Sequence, residues 1–71
     1  MGRSEAEQYR HVHARVLGAP PARRWHALRG CVEHVGERYT QAVLVQCYLE
    51  LLAVEQGLPA PPVPTAWQRE G

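Results

Sequence analysis

The sequence predicts an all-α fold: a small three-helix bundle, made of an N-terminal helix and an antiparallel helical hairpin, followed by an extended Pro-rich C-terminal tail. Three observations predict it. Helix start and stop signals recur along residues 1–57. Between them, apolar side chains return at three- and four-residue spacings, the period of one helix face. No pair of alternating runs is joined by hairpin turn residues, and no segment repeats. The expected organisation is a helical domain over residues 1–57 and an extended tail over residues 58–71.

The first helix is expected over Glu5 to Leu17. Ser4-Glu5-Ala6-Glu7 fits the S-x-x-E capping box, in which the hydroxyl takes an orphan amide proton and the Glu reaches back to the cap. Tyr9, Val12, Val16 and Leu17 share one face, with Ala6 and His13 among them. Gly18 is expected as a left-handed stop, and Ala19-Pro20-Pro21 forbids continuation.

Pro21 is expected to open the second helix, where its missing N–H costs nothing. Trp25, Leu28, Val32 and Val35 form its apolar seam, a narrow stripe suited to packing helix on helix. Arg23, His26, Arg29, Glu33 and His34 lie away from it. Gly30 is an internal weak point costing about 1 kcal/mol against Ala. Gly36 is expected to end the helix, the alternative being a run straight into the next one.

The third helix is expected over about Arg38 to Gln56, with Gly57 as C-cap and Pro59 barring extension. At about 100° per residue, Gln46, Glu50, Ala42 and Ala53 fall on one narrow face. The apolar residues fill an arc about 240° wide, against somewhat more than 100° for an ordinary surface helix. Such a helix must be covered on several sides. The tail carries four prolines between Pro59 and Pro64, so polyproline II is the expected conformation. Leu58, Val63 and Trp67 could fold it back over the core.

Seventy-one residues allow one domain, and a chain this short buries only about 60% of its unfolded surface. Net charge is +1, with no Lys, Asp, Asn, Ile or Phe, a bias that GC-rich codon usage explains. Five Arg and three His but no acid lie between Gln8 and Val32, whereas four Glu and one Arg lie between Glu33 and Gln56. That asymmetry is expected to be neutralised inside the protein or between subunits. The charged N-terminus has no secretory apolar run, so Cys31 and Cys47 are expected reduced and the location cytoplasmic. The longest apolar-rich run, Ala42 to Val54, is shorter than the roughly 20 residues a bilayer requires.

Motifs that carry chemistry are weak. Catalysis is not expected: there is no Asp, no Gly-rich phosphate loop, and the one Ser is the helix cap Ser4. Cys31 with His34 supplies a conceivable nucleophile and base but no third orienting group. Cys31-x2-His34 with His11, His13 or Cys47 falls short of a convincing tetrahedral set, so no metal or cofactor is expected. His13 is read instead as a hydrogen-bonded core histidine. Arg29-x4-His34 matches a spacing in HEPN ribonucleases, and reads here as two solvated surface residues. Pro-Ala-Pro-Pro-Val-Pro contains P-x-x-P twice, but no basic residue stands beside it before Arg69. The spacing Trp25-x2-Leu28, Gly36 and Tyr39-x2-Ala42 resembles part of one tetratricopeptide-type helix pair. Arg29 stands where that family has Gly, and Tyr39 follows the turn Gly by three residues rather than two. The segment therefore reads as a generic helical hairpin; what the resemblance implies is peptide or subunit binding.

The functional expectation is a protein–protein interaction module, such as an adaptor, assembly factor, inhibitor subunit or regulator. Its partner-binding residues are Val45, Tyr48, Leu49 and Leu52 on the third helix, with Trp67 of the tail, and its partner is another protein chain, identical or different. The alternative is a small nucleic-acid-binding regulator using Arg23, Arg24 and Arg29.

Overall fold

The computed structural model describes residues 3–68. Among the described residues it contains α-helices and no strand, so the fold is all-α. The helices are α1 (Glu5–Leu17), α2 (Arg24–Val32), α3 (Gln41–Gln56) and the single turn α4 (Thr65–Gln68).

Helix α1 starts as its capping box dictates. The Glu7 amide donates to Ser4 Oγ at 3.2 Å, and the Ser4 amide donates to Glu7 Oε1 at 3.3 Å. It buries Ala6, Gln8, Val12 and Val16. Its end differs from expectation. Gly18 is not left-handed but stays helical at φ −82°. A Cβ at this position would run into the Ala14 carbonyl oxygen, so close approach, not positive φ, calls for glycine.

The segment from Pro21 splits in two. Pro21–Arg23 forms a 3-10 turn, and α2 follows only from Arg24 to Val32. The expected seam does not form the core contact: Leu28 is buried, but Trp25, Val32 and Val35 are exposed, and Cys31 takes the inward position beside Leu28. Helix α2 stops at Val32, which leaves Val35 off the helix, and its nine residues turn Leu28 and Cys31, about one turn apart, toward the core. The chain then reverses through residues 33–39. The His34 carbonyl accepts the Glu37 and Arg38 amides at 3.1 and 2.9 Å, and Gly36 adopts φ +85° while its amide donates to the Tyr39 carbonyl at 2.9 Å. Here the left-handed conformation does require glycine.

Helix α3 begins three residues later than Arg38, because Thr40 caps it: Thr40 Oγ1 accepts the Val43 amide at 3.3 Å. Its end is as expected. Gly57 is left-handed at φ +69°, and the Leu58 amide donates to the Ala53 carbonyl at 2.9 Å, a Schellman closure.

The core lies where α1 and α2 pack on α3. Val12 and Val16 meet Val43, Cys47 and Leu51, all fully buried, with Leu28, Cys31, Leu44 and Tyr39 around them. The proline run then crosses back, and α4 packs against α1. The expectation that the tail holds no helix is therefore wrong at its end: once past Pro64, Thr65–Gln68 closes one turn and places Trp67 on the core. Among the described residues no helix is long and apolar enough to cross a membrane.

Candidate functional site

The candidate site follows from which way α3 is turned. Its one mid-helix acid, Glu50, points inward and is only 5% exposed. Glu50 Oε2 accepts the Tyr9 hydroxyl at 2.7 Å and Gln46 Nε2 at 2.9 Å, and Oε1 lies 3.3 Å from His13 Nε2. Gln46 Nε2 also donates to the Pro62 carbonyl at 3.2 Å, tying the tail to α3. The Trp67 and His13 rings each lie 5.4 Å from the Tyr9 ring. Burial, reinforced by the Glu50 carboxylate, pushes the Tyr9 hydroxyl well above its ordinary value, so Tyr9 stays a donor into the alkaline range.

A buried carboxylate needs donors; Tyr9 and His13 of α1 and Gln46 of α3 supply them, and the tail holds Gln46 in place by accepting from it at the Pro62 carbonyl. The narrow face of Gln46, Glu50 and Ala53 is thus spent on the interior. The greasy arc must then extend into solvent on the opposite side. Val45, Tyr48 and Leu49 are 44%, 44% and 41% exposed, and Leu52 is half-buried. The Trp25 ring stands edge-on to Tyr48 at 5.7 Å and extends this surface across to α2. Between the two helices an open groove of about 430 Å³ is lined by Val32, Val35, Gln41, Leu44, Val45 and Tyr48. Contiguous apolar surface of this kind marks interaction sites in small proteins.

Of the residues expected to bind a partner, Val45, Tyr48, Leu49 and Leu52 come together on this face. Trp67 does not: it is 9% exposed, packed on Tyr9, and acts as a lid over the inward side of α3. Sequence reasoning assigned Trp25, Val32 and Val35 to the core, and they belong to the exposed surface instead. It also missed Glu50 as a buried anchor. The signal was present: one mid-helix acid flanked by apolar residues, with Tyr9 and His13 four residues apart as the available donors.

The other candidates are dispersed. Arg23 and Arg29 are exposed, but Arg24 is half-buried and its Nε donates to the Ala19 carbonyl at 3.1 Å. Both cysteines are buried and free. Burial raises the Cys31 thiol, an effect that Arg15 partly offsets, and it pushes Cys47 up to about 12, with Glu50 and Cys31 adding to it. Neither thiol is activated as a nucleophile. His34 lies 3.7 Å from Glu37, and among the described residues no three His, Cys, Asp or Glu side chains are grouped to hold a metal ion.

Comparison with protein-family models, with curated proteins and with solved structures returned no match to this chain.

Proposed function

We propose that the chain is an interaction module: a three-helix unit, strapped by its Pro-rich tail, that docks onto another protein chain through the outer face of α3. The observation that carries this reading is the exposure of Val45, Tyr48 and Leu49 on a helix whose polar side is already occupied by Tyr9, His13 and the tail. Covering a few such side chains contributes several kcal/mol at about 25 cal/mol per Å². A domain this small has a marginal core of its own, so the gain is large relative to its stability. Nucleic-acid binding through Arg23, Arg24 and Arg29 is the weaker reading, because Arg24 is engaged with backbone and the exposed pair is a small electrostatic footprint.

The test is size-exclusion chromatography with light scattering, on the purified protein and on the protein incubated with an extract of its source cells. The wild type is expected above its monomer mass of 8.0 kDa in at least one sample. Tyr48→Glu is expected at the monomer mass in both, with an unchanged helical circular-dichroism spectrum. A wild type that elutes as a monomer in both samples overturns the reading.

A further inference from the structure

The exposed stripe of α3 has an internal symmetry. Along it lie Gln41, Val45, Tyr48, Leu49, Leu52 and Gln56, spaced as the seam of a helix pair. Reflected about its midpoint, between Tyr48 and Leu49, the stripe maps onto residues of like kind. Gln41 falls opposite Gln56, Val45 opposite Leu52, and Tyr48 opposite Leu49. An isologous two-fold contact pairs i with j and j with i, so every such pair has to be compatible; Gln with Gln, Val with Leu and Tyr with Leu all are.

We infer that the occupant of this face is a second copy of the chain, with the two α3 helices antiparallel and the two-fold axis passing between Tyr48 and Leu49. The inference rests on the reading of α3 as a docking face and names what fills it. Charge agrees with it. From Thr40 to Val54 the exposed stripe holds no ionisable group apart from the Tyr48 hydroxyl, so pairing buries no charge and opposes no like charges. The first charge beyond it, Glu55, arrives over the N-terminal turn of the other α3, the positive end of that helix. Size agrees as well. Sixteen residues make a helix about 24 Å long. With one interaxial spacing to either side, the strip is roughly 20 Å wide. Its plan area of roughly 500 Å² lies close to the ~600 Å² per side at which standard interfaces begin. The pair is therefore expected to be reversible and concentration-dependent. In it, the C-terminal half of one α3 lies along the groove that opens beside Val32, Val35 and Val45 of the other.

Sedimentation equilibrium of purified full-length protein across a wide concentration range tests this, with complementary variants setting the register. Wild type is expected to approach twice 8.0 kDa as concentration rises. Val45→Glu and Leu52→Arg are each expected to weaken self-association at least tenfold. Mixing the two is expected to restore association selectively, because residues 45 and 52 face each other only in the antiparallel pair. Circular dichroism confirms that each variant is folded. If a variant fails to fold, the same register is read by oxidising a mixture of Val45→Cys and Leu52→Cys and finding mixed rather than like-with-like disulfides. Wild type that stays monomeric when purified, or like-with-like crosslinks in place of mixed ones, overturns the inference. A chain that is monomeric alone but gains mass in cell extract through Tyr48 sinks the self-pairing and leaves the docking role standing.

Discussion

The Tyr9 hydroxyl donates to the Glu50 carboxylate at 2.7 Å, joining α1 to α3 and holding the one mid-helix acid of α3 out of solvent. This contact orients α3, because whichever face carries Glu50 must lie against the donors on α1.

Tyr9→Phe removes the shortest of the contacts to Glu50 and keeps the ring packed on Trp67. The carboxylate retains Gln46 and His13 but loses a charge-assisted bond. The expected cost is about 1.5–3 kcal/mol, read from urea unfolding. A change below about 0.5 kcal/mol would mean that water replaces the hydroxyl without loss.

Gln8 is the second cross-link. Its Nε2 donates to the Arg3 carbonyl and its Oε1 accepts the Thr40 amide, both at 2.9 Å, so one buried side chain anchors the cap of α3 to α1. Gln8→Ala is expected to cost about 1–3 kcal/mol, since it strands a part-buried amide. Gln8→Glu keeps the acceptor for Thr40 and loses the donor, so it is expected to fall between wild type and Ala in the same unfolding experiment.

Alkaline pH is expected to destabilise the fold. The folded state holds the Cys47 proton up to about 12, against an ordinary value of 9.0. A pKa raised by folding contributes stability that is complete below the unfolded value and is lost as pH climbs toward the folded one. Tyr9 is shifted in the same direction. The thermal midpoint is therefore expected to fall between about pH 9 and 12. In Cys47→Ala that fall is expected to be shallower, although the variant starts lower at neutral pH because of the cavity it leaves. An equal slope in both proteins would exclude Cys47 as a source.

Two glycines are expected to respond in opposite directions to Ala. Gly30 sits inside α2 with open space around its Cα, so Gly30→Ala is expected to stabilise by about 0.5–1 kcal/mol. Gly57 holds φ +69°, so Gly57→Ala is expected to destabilise by about 1–2 kcal/mol. Thermal unfolding of the pair checks both signs at once.

Local signals were legible in the sequence. The Ser4–Glu7 capping box, the bounds of α1 and the Gly57 stop all rest on residues within one turn of each other, so short-range chemistry decides them. Gly36 was legible as a break between helices but not as the helix end: α2 stops four residues earlier, at Val32, and Gly36 falls in the turn that follows, while the Thr40 cap starts α3 at Gln41 and not at Arg38. The proline run was read as helix-free, yet three residues beyond Pro64 the chain closes a turn to bury Trp67.

By itself the sequence determined that the chain is helical, where α1 begins and ends, and that α3 carries more apolar surface than a lone surface helix can hide. Tertiary structure alone decided which side of α3 is hidden. It turned Glu50 toward Tyr9 and His13, drew Trp67 inward, and left Trp25, Val32 and Val35 outside with Val45, Tyr48 and Leu49. The reason is that helical period and capping depend on near neighbours along the chain. The rotation of a helix about its own axis is set by partners dozens of residues away, and by the cost of burying a carboxylate without donors.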